Sequence, residues 1–179
     1  MSLKAIKKRQ LILNTAIQYI LENDLNSLTL DGIAQKASIS KGGLLYHFKN
    51  KNELQLAVAE EIINEFLEAY ETIVEHEKGA GKHIRAFILA AQRDLHAGAR
   101  FNVAIQIMQN SNTNITEMYE CLMNDLLREN DIDASTVQLI RLTIDGLYYS
   151  RLLNILPVSD RVTDEVIGKL LQMTRKEEH

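Results

Sequence analysis

The chain is predicted to be all-α, with about nine helices, and three observations predict it. It holds one proline and eight glycines in 179 residues, so few positions break a helix. Leu, Ile, Ala, Glu, Lys and Gln are abundant and runs of Val or Thr are rare, which favours helix over strand. Apolar residues recur at three- and four-residue steps along most of the chain. An apolar share of 46% is enough for a packed core. The length suits one ordinary domain or a small module fused to a medium one.

Ile6, Leu13, Ala16, Ile17 and Ile20 fall on one face of a first helix over about residues 4–23, with its basic end first. Asn23 and Asp24 end it. Thr29 is a good N-cap for a short second helix, Leu30 to Ala37, with Ile33, Ala34 and Ala37 inward. Ser38-Ile39-Ser40 is a three-residue turn, and Ser40 caps a third short helix from Lys41 to His47. The polar stretch Lys49 to Asn52 connects to a long helix from about Asn52 to Glu77, with Leu54, Val58, Ile62, Phe66 and Ile73 on one side.

Gly79-Ala80-Gly81 is the clearest break in the second half. It introduces a helix over about 82–97 with Ile84, Phe87, Ile88, Ala91 and Leu95 inward. Further breaks at Gly98, Gln109 to Asn114, Asn130 to Ala134 and Pro157 leave helices near 100–109, 115–129, 135–155 and 160–176. Ser135 and Gln138 have the spacing of a capping box for the helix over 135–155. No internal repeat is present.

The one cysteine, Cys121, cannot close an internal disulfide, and no Cys/His cluster has zinc spacing, so the cytoplasm is the expected compartment. The longest apolar run, Ala86 to Ala91, is far short of a membrane span, and no apolar leader precedes the first charges. No membrane partner is expected. There is no phosphate-cradling glycine loop after a strand, no nucleophile elbow and no His/Glu metal pair on one helix face. Neither an enzyme nor a cofactor is expected.

The net charge of −4 hides an asymmetry. Residues 1–52 carry eight Lys or Arg against three acids, whereas the remaining 127 carry twelve against twenty-one. A +5 head on a −9 body suits a phosphate-binding module joined to another domain, although a chance gradient has the same look. Two short helices joined by a tight turn within that head form a helix-turn-helix unit, which reads DNA through its second helix. Lys41 opens that helix, where the N-terminus itself attracts phosphate oxygens. Gly42 and Gly43 follow, a poor choice for a helix at roughly 1 kcal/mol each. Either they let the backbone approach DNA or they are loop and the helix begins later. Tyr46 and His47, beside Lys49 and Lys51, suit phosphate hydrogen bonding or simple half-buried packing.

The stretch from Thr29 to Leu54 resembles the signature of the TetR family of bacterial transcriptional regulators. The matches are Thr29, Ile33-Ala34, Ala37, Ser40-Lys41-Gly42, Leu45-Tyr46-His47-Phe48, Lys51 and Leu54, with Ile12, Ala16 and Ile20 upstream, so the resemblance covers roughly residues 9–55. Asp24, Gly32 and Ser38 depart from it. Gly32 forfeits a reciprocal capping box with Thr29, and Ser38 must tolerate a left-handed backbone if the turn is kept. The resemblance implies a DNA-binding domain over 1–50 and an effector-binding and dimerisation domain over 51–179. Ser40 joins the DNA-binding candidates. Thr29, Tyr46, His47 and Lys51 become phosphate-positioning candidates; Lys41, Gly42, Gly43 and Leu44 would face base edges, Leu44 toward a thymine methyl. With so few long donors there, DNA shape would carry much of the preference.

Such readers act as homodimers on palindromic operator DNA. Ile140, Ile144, Leu147, Arg151 and Leu152, with Val166 and Leu170 on the last helix, are the candidate seam, or else one more layer of core. Gly146 and Ser150 would let a partner helix come close. The resemblance favours the seam. It also implies a small-molecule effector, apolar or amphipathic, that releases a repressor from its operator. Candidates for its site are Tyr70, Phe87, His96, Phe101, Ile105, Met108, Tyr119, Met123 and Tyr148, each of which core packing also explains; His83 and Arg100 are further polar anchors. The competing expectation is an all-α adaptor that binds a protein partner and no DNA.

Overall fold

Ser2, Thr29, Ser40, Asp133 and Ser159 each accept a backbone N–H at the start of a helix, and these caps set where five of the elements begin. The computed structural model describes residues 2–111, 124 and 132–175. Eight helices run through them: α1 (Leu3–Glu22), α2 (Leu30–Lys36), α3 (Lys41–Leu45), α4 (Lys51–His76), α5 (Lys82–His96), α6 (Arg100–Asn110), α7 (Ala134–Leu152) and α8 (Asp160–Met173). No strand occurs among the described residues. The helix expected over 115–129 lies outside them.

Contacts divide the chain into two units, with the division falling inside α4 and α6. The first comprises Met1–Asn64 and Val103–Thr113. Here α1 packs on α2 and α2 on α3, and Ile12, Leu13, Leu28, Ile33, Leu44 and Leu54 are fully buried. Burying each such side chain contributes about 1.5–3 kcal/mol. The Gln10 amide donates to the Glu61 carboxylate at 2.6 Å, tying α1 to the first half of α4. At the start of α4 the Asn50 amide oxygen accepts from Glu53 N–H, and the Glu53 carboxylate accepts from Lys49 N–H, both at 2.8 Å. The stretch expected as a connector is thus a cap. Ile6 is half-exposed, because the first turns of α1 run beyond the face that packs.

The second unit comprises Glu65–Asn102 and Asn114–His179. Its α5 packs against α7 and α8, and α7 against α8. Ile84, Phe87, Ile88, Ala91 and Leu95 of α5 are buried as expected, with Val137, Ile140, Ile144 and Leu147 of α7 and Ile167 and Leu170 of α8. The capping box of Ser135 and Gln138 does not form. Asp133 caps α7 instead, accepting from Thr136 N–H at 3.0 Å and from the Thr136 hydroxyl at 2.6 Å, while Gln138 accepts from Arg141. The Ser135 hydroxyl, which also donates to it, and then the two Thr136 donors hold the Asp133 carboxyl down at about 2. A carboxylate two residues upstream is the better acceptor and starts the helix earlier.

Arg85 joins the ends of this unit. Its guanidinium is buried and donates to the Glu77 carboxylate at 2.7 Å, to the Lys78 carbonyl at 2.8 Å and to the Ala80 carbonyl at 2.6 Å. A longer contact of 3.5 Å reaches the Thr174 carbonyl after α8. A cleft of about 620 Å³ opens beside it, lined also by Leu89 and Leu171.

Candidate nucleic-acid interface

The turn between α2 and α3 is closed by two backbone bonds, Ile39 N–H to the Ala34 carbonyl at 2.9 Å and Ser38 N–H to the Gln35 carbonyl at 3.0 Å. This is a Schellman motif, and it needs a left-handed residue after the cap. Ser38 supplies it at φ 56°, as the kept turn requires. The Thr29 hydroxyl accepts from Gly32 N–H and the Ser40 hydroxyl from Gly43 N–H, both at 3.1 Å. A side chain at Gly32 would lie 2.9 Å from the Thr29 hydroxyl, so glycine there leaves the cap room.

The reading helix α3 is shorter than expected, ending at Leu45, and Tyr46 and His47 follow in the next turn with their rings edge to face at 5.0 Å. Lys41, Gly42 and Tyr46 are exposed, and a side chain at Gly42 would meet nothing within 4 Å. Leu44 is a correction. It is fully buried in the head, since the turn points it at the core, and it cannot touch a thymine methyl; Leu45 is the exposed leucine of α3. His47 is half-buried, and burial first, then the charges of Lys8 and Arg9, push its pKa below 6.5.

The cations of this surface divide into two sets. Lys41 pairs with Asp31 at 3.0 Å, Lys36 with Glu22, and the Lys51 ammonium donates to the Asn26 carbonyl at 3.0 Å. Among the described residues Lys4, Lys7, Lys8 and Lys49 have no carboxylate partner, and Arg9 lies over the Phe48 ring at 5.3 Å. Sequence reasoning passed over Lys4 and Lys8. They line a groove of about 310 Å³ with Gly43, Tyr46 and His47, and the basic start of α1 was the available signal.

In the second unit Phe66, Phe101 and Tyr148 form a chain of ring contacts at 5.0 and 5.9 Å, and the Tyr70 hydroxyl bonds His83 Nδ1 at 2.8 Å. The Tyr148 hydroxyl donates to Asp94 at 2.9 Å, and Asp94 also accepts from Phe101 N–H at 3.1 Å. Burial raises the Asp94 pKa against those bonds. Phe87 is buried nearby in sequence on α5; Ile105 and Met108 are buried on α6 in the first unit. Arg100 pairs with Glu65 at 2.6 Å, while Arg100 Nε and Asn102 Oδ1 are buried without a partner among the described residues. His96 is a correction: it is exposed, with Nε2 2.8 Å from the Asp164 carboxylate between α5 and α8. Tyr119 and Met123 lie outside the described residues.

The expected seam is also corrected. Ile140, Ile144, Leu147 and Leu170 are buried within the single chain, where no partner can reach them. Arg151 is spent internally on the Leu95 carbonyl, Asp160 and Thr163, and Leu152 and Val166 are half-buried. The exposed side of α7 instead carries Leu139, Leu142, Gly146 and Tyr149, continued by Leu153 and Leu156. The steps from Leu139 to Tyr149 alternate three and four, the spacing of a helix-pairing seam, whereas Leu153 and Leu156 follow the end of α7.

A helix-turn-helix head followed by an all-α second unit defines a class of small DNA-reading proteins. Residues 12–58 match the family model described as Bacterial regulatory proteins, tetR family, and residues 81–175 the one described as Tetracyclin repressor-like, C-terminal domain. The chain belongs to the TetR family. It is 29% identical to the fatty acid metabolism regulator protein of Bacillus subtilis (strain 168) over 94 residues, 52% of this chain and 47% of that protein. It is 35% identical to a probable acrEF/envCD operon repressor of Escherichia coli (strain K12) over 51 residues, 28% of this chain and 23% of that one. The chain therefore matches less than half the length of these curated relatives. The fold is shared with the fatty acid degradation regulator FadR from Bacillus halodurans, at TM-score 0.70, 16% identity and coverage of 96% and 97%. FadR from Bacillus subtilis in complex with stearoyl-CoA aligns at TM-score 0.67, 19% identity and coverage of 93% and 99%.

Proposed function

We propose that this chain is a sequence-specific, ligand-responsive regulator of transcription that acts in the cytoplasm as a homodimer on palindromic double-stranded DNA and represses until a small molecule releases it. Residues 1–50 read DNA and 51–179 bind the effector and the second copy. The observation that carries this reading is the head: two capped helices around a Schellman turn, with Lys4 and Lys8, which have no carboxylate partner among the described residues, beside the reading helix. Ser40, Lys41, Gly42, Gly43, Tyr46 and His47 are the DNA-facing group. Thr29 and Lys51 join it once their present partners, Gly32 N–H and the Asn26 carbonyl, are exchanged or shared. No catalytic role is proposed.

For the effector, Tyr70, Phe87, Phe101 and Tyr148 offer aromatic surface, and Arg100 Nε and Asn102 Oδ1, without a partner among the described residues, offer one donor and one acceptor. That combination suits an apolar or amphipathic molecule with a polar end. Relatives named as regulators of fatty acid metabolism and degradation, one of them in complex with stearoyl-CoA, make a long-chain acyl-CoA the first molecule to try.

A mobility-shift titration with the DNA flanking the protein's own coding region tests the reading. Binding that falls steeply with salt, and is released by acyl-CoA but not by free CoA, is expected. An absence of binding to that DNA and to duplexes selected from a random pool would leave the adaptor reading in its place.

A further inference from the structure

The reading helix has no long side chain on its first turn except Lys41, and Lys41 is held by Asp31. Gly43 stands where the next such side chain would be, and that space is taken. A Cβ built on Gly43 would lie 3.0 Å from the Lys8 ammonium, 3.6 Å from its Cε and 3.0 Å from the Ser40 hydroxyl that caps the helix. Lys8 thus crosses from α1 and lays the end of its side chain over the backbone of α3.

We infer that Lys8 is a DNA-contacting residue of the head, its ammonium carried onto the reading helix by the slot that Gly43 leaves. Three observations support the assignment. Lys8 has no carboxylate partner among the described residues, whereas Lys36 and Lys41 each have one. Its ammonium lies in the open groove that it lines with Lys4, Tyr46 and His47, so it is presented and not packed away. Its charge adds to burial, the first cause, in lowering the His47 pKa. An ammonium so placed donates to oxygen and nitrogen acceptors, and duplex DNA offers two kinds, phosphate oxygens and the major-groove edge of guanine. Glycine at 43 leaves room for the Lys8 ammonium as well as for the Ser40 cap. Any side chain there competes with Lys8 for the same volume.

This inference rests on the proposed DNA-binding function, and the test separates the two. The full-length chain is used to select a duplex from a random-sequence pool, and affinities for that duplex and for a scrambled one of equal composition are measured between about 50 and 200 mM salt. If the unaltered chain selects nothing, the functional reading falls and this inference with it. If it binds, Lys8→Gln should weaken binding at least about tenfold at low salt. Loss on both duplexes with a salt slope shallower by about one marks a phosphate contact; loss of the preference between them marks a base contact. Gly43→Ala completes the cycle. It should weaken binding in the unaltered chain and have a smaller effect when Lys8 is already Gln, the remainder being what the added methyl does to the Ser40 cap. Full affinity and an unchanged slope in Lys8→Gln overturn the inference, and so does an equal effect of Gly43→Ala in both backgrounds. Circular dichroism of each variant confirms that the head is folded.

Discussion

Ser38 occupies the left-handed region at φ 56° in a turn that glycine would adopt without strain. Ser38→Gly should raise stability by up to about 1 kcal/mol, read as a higher denaturant midpoint with an unchanged slope. Ser40→Ala removes the acceptor of Gly43 N–H and should cost about 1 kcal/mol. His47 gives a prediction about pH. Its pKa in the free protein is below 6.5, so the folded head binds fewer protons than the unfolded chain there and loses stability as pH falls through 6.5. A phosphate beside it would favour the imidazolium, so binding DNA would take up a proton. Affinity should therefore rise as pH falls from 7 toward 6. His47→Gln should flatten that profile, and a profile unchanged by the substitution would remove His47 from the footprint. Leu44 shows the limit of reading single residues from sequence. A five-residue helix is too short for periodicity to choose its inward face, and Leu44 and Leu45 exchange roles on one step of rotation.

At the scale of elements, α1 to α4 were legible because their signals are local. Thr29 and Ser40 each cap with one hydroxyl, and the apolar steps of α1 run from Leu13 to Ile20. The start of α7 was misread because Asp133 and Ser135 can both cap, and only the folded chain shows that the carboxylate does. The Arg85 hub was illegible, since two of its acceptors are loop carbonyls and a third lies 89 residues away. The two faces of α7 were separable only by burial. Ile140 and Ile144 and the row from Leu139 to Tyr149 have the same helical spacing, and nothing local says which is inside. The seam prediction follows from that separation. Leu142→Asp or Leu153→Asp should give a folded monomer by sedimentation, since both side chains are exposed in the single chain. Ile144→Asp buries a carboxylate in the core and should unfold the second unit, at a cost above about 4 kcal/mol. A Leu142→Asp, Leu153→Asp double variant that stays dimeric would place the seam elsewhere.

For the whole molecule, the asymmetry of charge that marked the head in the sequence has a structural counterpart, because α1 brings its lysines beside the reading helix. Effector and DNA are expected to oppose each other by one factor. If a molecule weakens DNA binding twentyfold, roughly 2 kcal/mol, DNA must weaken its binding by the same factor. Titration calorimetry of the effector with and without bound duplex checks that equality. A mismatch would mean that the molecule also acts at a site other than one linked to the DNA. The slot at Gly43 has a consequence for how such a protein changes its target over generations. A reader that keeps its probing side chain on a different helix from its caps can exchange that side chain freely. Ser40 and the turn hold α3 in place whatever stands at position 8. Substitutions there, with glycine kept at 43, form a small library in which new operator preferences can be sought at little cost to folding.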